Sequence, residues 1–514
     1  MIGTLLVWLT RALLFAIGAG ALVALARWLR EALGERRERW AVRVALGIVL
    51  LVVVYAAGHA RLLLERTSIE EGRAEYARFG DPRLAELRRA ETRGWILDCT
   101  GEAEHALAAY AAKDGEIDRV YPLGEAGANL IGGGAAADER DFTVERLYAH
   151  ELRAPKSWSE AGQLHPDGTD LPLTLCRGAT QTAWRLLREA GRPGAVVVQD
   201  VQTGALVAYA ATGGPEQAPF GIRRYAPPGS TFKLALAALW WDAGLPDDTP
   251  IPCPASIEVT PRATISNSGG AAYGTVFGPE GMLVPSCNTA AVRMALDMRE
   301  RLGAQAFEEA YRRFGFVTYA DSAPAGTDAD FWSTSSPAWA RRMGPSPSRL
   351  RLSGKTGAAE WAQLAIGQGP IDVTPIAMSR FVQAIGNDGV MLRPTLEAAR
   401  ASKPTEVGRV MKVETSRRLR QAMLEIVDRG TARSVAPRLA GLGGWDLGGK
   451  TGTAQIARAP DDGWFAGLIF DPEHRPRYTV VAYLQGGGPG GGRPAAIAAG
   501  MTRFFATAAR ERGD

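Results

Sequence analysis

Pro227-Pro228-Gly229-Ser230-Thr231-Phe232-Lys233 runs directly into Leu234-Ala235-Leu236-Ala237-Ala238-Leu239-Trp240-Trp241, an apolar run of helical character. If Ser230 opens that helix, Lys233 lies one turn on and the two side chains share a face. Such a pair suits an activated nucleophile. The helix N-terminus stabilises negative charge developing on the hydroxyl, and a lysine in a dehydrated site can lose its proton and act as base. Arginine cannot replace it, because a guanidinium stays protonated. Lysine is a selective choice in this chain: of 59 Lys and Arg residues only seven are lysines, at 113, 156, 233, 355, 403, 412 and 450. A serine that merely caps a helix before an incidental lysine gives the same pattern, so the reading depends on what accompanies it.

Two further segments accompany it. Ser286-Cys287-Asn288 lies 56 residues after Ser230 in a Pro- and Gly-punctuated stretch, and Lys450-Thr451-Gly452-Thr453 lies 164 residues after Ser286 on an expected strand. A hydroxyl and an amide on a loop can relay a proton and hold a substrate amide, while a Lys/Thr pair on an edge strand can clamp a carboxylate through charge-assisted hydrogen bonds. Each short motif is common alone; the three in this order are not. Around them, 194–200 and 205–211 read as two strands of a hairpin joined at Gln202-Thr203-Gly204. Strand-like runs recur at 447–455, 464–470 and 478–485, followed after a Gly-rich loop by a helical run at 495–506. Amphipathic helical stretches, at 374–386 and 414–428 among others, fill the middle. Strands at both ends with helices between predict one α/β domain whose sheet is assembled from distant parts.

Ser-x-x-Lys, Ser-x-Asn and Lys-Thr-Gly in this order resemble the penicillin-binding protein transpeptidases, which share the motifs with serine β-lactamases. Arg93-Gly94-Trp95-Ile96-Leu97-Asp98, Tyr121-Pro122-Leu123-Gly124, Gly367-Gln368-Gly369 before Thr374-Pro375, Gly430-Thr431-Ala432, and Thr453-Ala454-Gln455 with Trp464-Phe465 downstream resemble the class B, monofunctional members. The resemblance implies an antiparallel sheet flanked by helices over 191–514, preceded by a stalk and short α+β pedestal over 61–190. It implies a D,D-transpeptidase that cross-links peptidoglycan stem peptides through an acyl-enzyme on Ser230 and is inhibited covalently by β-lactam antibiotics. In that scheme Lys233 is the base, Ser286 passes a proton to the leaving amine, and Asn288 orients the donor peptide. Lys450 and Thr451 bind the terminal carboxylate, and the motif continues through Gly452 to Thr453, whose N–H forms the oxyanion hole with that of Ser230. The resemblance also implies pairing with a SEDS-family glycan polymerase, since the chain has no room for a glycosyltransferase domain of its own. Departures from the family pattern are Cys99 where arginine is common, a short pedestal, and two apolar N-terminal segments where one is usual. A second Lys-Thr-Gly, at 355–357, precedes Ala358-Ala359-Glu360 and no β-rich run, and reads as a surface turn.

Residues 44–58 form an uncharged run that spans a bilayer if Arg43 and Arg61 snorkel to its interfaces. Residues 5–26 are apolar except for Arg11 and carry a small-residue face at Gly18-Ala19-Gly20-Ala21, the kind against which another helix packs closely. Between them lie Arg27, Arg30, Arg36, Arg37, Arg39 and Arg43, whereas residues 1–10 carry no charged side chain. The positive-inside rule puts that loop, about 27–43, in the cytoplasm and everything after residue 60 outside the cytoplasmic membrane. Membrane anchorage over 1–60, with the catalytic domain on the periplasmic side, is therefore expected.

Composition closes off other classes. With 46% hydrophobic residues and a formal charge of +4 over 514 residues, the chain is globular and too weakly basic for nucleic acid to be its partner. Cys99, Cys176, Cys253 and Cys287 show no metal-ligand spacing, and no metal or organic cofactor is expected. The cysteines read as buried thiols; an even count also permits disulfides in an oxidising compartment, with connectivity left open. Rival functions are a D,D-carboxypeptidase or β-lactamase on the same site, and a membrane β-lactam sensor or scaffold. A sensor needs more cytoplasmic chain than a loop of about 17 residues, and a silent scaffold has no need of both Ser230 and Lys233.

Overall fold

The predicted hairpin forms, and its partners in the sheet come from the far end of the chain. The structure is a computed structural model describing residues 93–113, 116–132, 142–153, 168–214, 217–316, 331–343, 348–352 and 356–512, with Arg27 and Gly47. Apart from Gly47, the two apolar N-terminal segments lie outside these residues, as do the stalk and Lys355. Among the described residues no helix is long and apolar enough to cross a membrane.

Five strands make the central antiparallel sheet: β1 (Gly194–Gln199), β2 (Leu206–Ala211), β3 (Asp446–Ala454), β4 (Asp462–Phe470) and β5 (Pro476–Leu484). Their order is β3-β4-β5-β1-β2, so β5 of the C-terminal meander closes against β1. β1 is buried along its whole length because side chains alternate between two cores. Val196 and Val198 face the main core, and Ala195 and Val197 face a second cluster with Ile96, Leu107, Tyr148 and Trp339. An apolar run without alternation is the sequence mark of such a strand.

Helices α1 (Arg177–Ala190), α2 (Lys233–Asp242), α3 (Asn288–Leu302), α4 (Pro375–Gly386), α5 (Val413–Asp428) and α6 (Arg493–Arg512) surround the sheet. α1 and α6 pack on each other and on the sheet; α4 packs on β1, β4 and β5, and α5 packs on β3 and α2. The amphipathic reading of 374–386 is corrected: every residue of α4 is buried. Ser379 and Gln383 are satisfied internally instead of facing water, with Ser379 Oγ 2.8 Å from Thr479 Oγ1 and Gln383 bonding Val201 O at 2.7 Å and Leu392 N at 3.0 Å, and Arg380 lies over the Phe331 ring. The reading of 414–428 holds, with one face of α5 buried through Leu419, Met423 and Ile426.

The segment before the sheet is held by a few strong contacts. Ile96–Leu97 pairs in parallel with Leu171–Pro172. Buried Glu145 takes both Arg93 (2.9 Å) and Arg119 (3.0 Å), and buried Asp98 accepts from Thr100 N at 2.9 Å and Arg177 N at 3.2 Å. Tyr148 donates to the buried carboxylate Glu397 of the main domain at 2.9 Å. The expectation of free buried thiols is overturned: Cys99 pairs with Cys176 and Cys253 with Cys287, at Cα separations of 4.8 and 6.4 Å. The partners are 77 and 34 residues apart in sequence and meet only through the tertiary fold.

Candidate active site

Ser230 does not open α2. It sits in a single 3₁₀ turn, Gly229–Phe232, and the α-helix begins at Lys233. The tighter turn follows from what surrounds Gly229. Its φ is +54°, its N–H donates to Gly367 O at 2.9 Å, and a Cβ there would stand 2.5 Å from Thr453 O. Only glycine fits between the Gly367 backbone and edge strand β3. Residues three apart eclipse in a 3₁₀ turn, so Ser230 and Lys233 keep a common side. Ser230 is half-buried, while Lys233 is fully buried.

Lys233 Nζ donates to Asn288 Oδ1 at 2.6 Å and to Ser286 O at 2.7 Å, and lies 3.3 Å from Ser286 Oγ. Burial pushes its pKa well below 10.5, and the nearby charge of Lys450 pushes it further. The two short contacts go to pure acceptors, so a neutral amine satisfies both with its two N–H bonds and keeps its lone pair for a hydroxyl proton.

Ser286 has φ +60°, a left-handed conformation uncommon for a residue with a Cβ. That conformation presents its carbonyl to Lys233 and its hydroxyl to Lys450, whose Nζ lies 2.8 Å from Ser286 Oγ. Cys287 caps α3, its sulfur accepting from Ala290 N, and its disulfide ties the motif to the strand Pro250–Cys253. The Asn288 amide is engaged at both ends, since Nδ2 also donates to Ser266 O at 2.8 Å.

Lys450 and Thr451 lie mid-way along β3, opposite Ala466 and Phe465 of β4. Lys450 is fully buried, and burial lowers its pKa to about 7. Its other bond is to Thr451 O at 3.1 Å. Neither lysine has an ion pair among the described residues, so the buried Lys450 ammonium, sharing the Ser286 hydroxyl with the dehydrated Lys233 amine, has no counter-charge. Such an arrangement is poised for an anion and costs stability without one. Gly452 packs against Pro228 O and Thr231, bringing the third motif against the first.

Residues 194–502 match the penicillin binding protein transpeptidase domain. The chain belongs to that family. The peptidoglycan D,D-transpeptidase PbpA of Mycobacterium tuberculosis is 28% identical over 274 residues, covering 51% of this chain and 50% of that protein. The peptidoglycan D,D-transpeptidase MrdA of Acinetobacter baumannii is 25% identical over 375 residues, covering 63% and 52%. The chain thus spans about half the length of the curated relatives it matches. Its fold is that of penicillin-binding protein A from M. tuberculosis in an imipenem acyl-enzyme complex (TM-score 0.64, 22% identity, 82% of this chain and 99% of that one). It is also that of Pseudomonas aeruginosa PBP2 in complex with WCK 5153 (TM-score 0.63, 22% identity, 80% and 95%).

In this penicillin-binding protein, residues outside the three motifs hold them in place. Buried Asn267 accepts from Asn288 N (2.8 Å) and Thr289 N (3.1 Å) through Oδ1, and donates to Pro254 O (2.9 Å) and Ala271 O (2.8 Å) through Nδ2. Nothing in Ser266-Asn267-Ser268-Gly269 marks it in sequence as more than a turn. Thr431 Oγ1 lies 2.6 Å from Thr451 Oγ1; the Gly430-Thr431-Ala432 resemblance flagged the segment without that role. Of the second Lys-Thr-Gly, Lys355 lies outside the described residues and Gly357 is exposed. Thr356 is buried and Gly357 opens the helix Ala358–Ala365, with Glu360 accepting from its N–H at 2.8 Å.

Proposed function

We propose that this protein is a peptidoglycan D,D-transpeptidase anchored in the cytoplasmic membrane with its catalytic domain outside. One observation carries the reading: Lys233 is dehydrated, holds two acceptor-only partners, and lies one 3₁₀ turn from Ser230. Ser230 Oγ attacks the carbonyl of the penultimate D-Ala of a stem peptide and passes its proton to Lys233. Ser286, between the two lysines, delivers a proton to the leaving D-Ala amine, and an amine of a neighbouring stem then resolves the ester. Lys450 and Thr451 take the terminal carboxylate, supplying the missing counter-charge. The N–H groups of Ser230 and Thr453 stabilise the oxyanion, at about 3 kcal/mol per donor. Asn288 acts first by fixing Lys233, its amide nitrogen being held by Ser266. β-Lactams acylate the same serine. The Arg-rich loop at 27–43 supports the anchor, and the small-residue face at 18–21 suits helix packing against a SEDS-family polymerase.

Benzylpenicillin labelling followed by mass spectrometry tests the assignment. A long-lived adduct is expected on the peptide containing Ser230, absent in Ser230→Ala and nearly absent in Lys233→Arg; an adduct elsewhere, or one undiminished in Ser230→Ala, overturns it. For the anchor, a cysteine at position 34 should resist impermeant thiol reagents in intact cells while one at position 2 reacts.

A further inference from the structure

Three guanidiniums, on the short helix Phe220–Arg223, the helix Pro337–Met343 and the strand Ser348–Leu350, lie within electrostatic reach of one of them, Arg223. Arg223 ends the first element, Arg342 lies in the last turn of the second, and Arg349 is the middle residue of the third. Arg223 Nη1 is buried without a hydrogen-bond partner. Its pKa is lowered by burial first and then by the positive charges of Arg342 and Arg349, with the Tyr225 hydroxyl opposing. The other two are laid over aromatic rings, Arg349 over Tyr225 at 3.9 Å and Arg342 over Phe142 at 4.4 Å. None of the three has an ion pair among the described residues. Asp372, opposite Arg349 in the strand pair, is taken by Arg351 at 3.0 Å. Elsewhere comparable arginines find carboxylates, as Arg313 does with Asp242 and Arg420 with Asp388.

We propose that Arg223, Arg342 and Arg349 form a binding site for a phosphorylated ligand, with a pyrophosphate group as the unit that fits. Folding brings three like charges together around a partly dehydrated guanidinium, an arrangement that a bound anion relieves. A single carboxylate would leave two charges uncompensated. A pyrophosphate carries enough charge for all three and offers oxygens to several planar donor forks at once. The site also adjoins the catalytic segment. Tyr225 under Arg349 leads through Ala226, which bridges Val373, and Pro227-Pro228 into Gly229-Ser230. A ligand held there is held on the strand-like entry to the nucleophile turn. The pyrophosphate of a lipid-linked sugar and the phosphate of an anionic lipid headgroup share this chemistry.

The test uses the full chain in neutral detergent, titrated with inorganic pyrophosphate and followed by thermal shift and calorimetry. Saturable stabilisation is expected, weakened roughly tenfold or more for each guanidinium removed. The double variant Arg342→Gln/Arg349→Gln carries the test, because both side chains are exposed; Arg223→Gln is the second variant. Both should keep penicillin acylation of Ser230, which reports a folded domain independently of the proposal. Replacing a paired surface arginine, Arg312→Gln, should change nothing. Absence of saturable binding, equal binding by the double variant, or equally tight binding of citrate overturns the proposal. Variant-sensitive displacement of pyrophosphate by geranyl pyrophosphate assigns a lipid-linked pyrophosphate, and displacement by short-chain phosphatidylglycerol assigns a headgroup; either supports it.

Discussion

Replacing Lys450 with methionine should stabilise this protein while disabling it. A lysine displaced from 10.5 to about 7 by burial corresponds to roughly 5 kcal/mol against the charged form. Methionine fills a similar volume with no charge to dehydrate. It forfeits the bonds to Ser286 Oγ and Thr451 O, together about 1–3 kcal/mol. The net gain at pH 6 is then about 2–4 kcal/mol. Its pH dependence has a definite sign. Below pH 7 folded and unfolded wild type both hold the proton, and the full penalty applies. Between about 7 and 10.5 only the unfolded chain holds it, so wild-type stability climbs with pH by up to about 1.4 kcal/mol per unit. The variant's advantage should therefore shrink over that window and be largely gone by about pH 9. Urea denaturation midpoints of both proteins at pH 6 and pH 9 measure this directly. Benzylpenicillin acylation of the variant should fall by about a hundredfold or more, since the cation meeting the carboxylate is lost. The Lys233 pKa should rise as its neighbour's charge disappears. A variant less stable than wild type at pH 6, or a stability difference independent of pH, refutes the picture of a strained Lys450 cation awaiting an anion.

Thr431→Val removes the hydroxyl 2.6 Å from Thr451 and should cost about 1–2 kcal/mol in the acylation step, roughly five- to thirtyfold in second-order rate, with Tm little changed. Gly229→Ala places a Cβ 2.5 Å from Thr453 O at φ +54°; a loss of several kcal/mol from strain and overpacking, with acylation abolished, should appear in denaturation and labelling together. The double variant Cys253→Ser/Cys287→Ser opens a loop closed over 34 residues, and chain entropy sets the loss at about 3–4 kcal/mol. Acylation should slow as well, because the released residue sits between Ser286 and Asn288.

The sequence by itself carried the three motifs and the class of fold. Ser230, Lys233, Ser286, Asn288, Lys450 and Thr451 could be singled out because their residue types recur in the order of a known family's motifs, and the fold joins Lys233, Ser286, Asn288 and Lys450 by hydrogen bonds. The five strands were legible because their apolar runs end in Gly-rich and polar turns. A lysine kept at 233 and 450 in a chain that otherwise prefers arginine already implied a cation that must lose its proton or its water. What only the tertiary structure decided are the relations between distant segments. The 3₁₀ turn at Ser230 exists because Gly367 and Thr453 press on Gly229, and neither is near it in sequence. α4 carries the polar pattern of a surface helix but is buried, since Ser379 and Gln383 find their partners on Thr479, Val201 and Leu392. The cysteine pairing, the Asn267 brace and the Thr431–Thr451 contact are likewise products of chain crossings. A residue's type fixes what it can bond, and only the packed chain fixes which partner stands within reach when water is excluded.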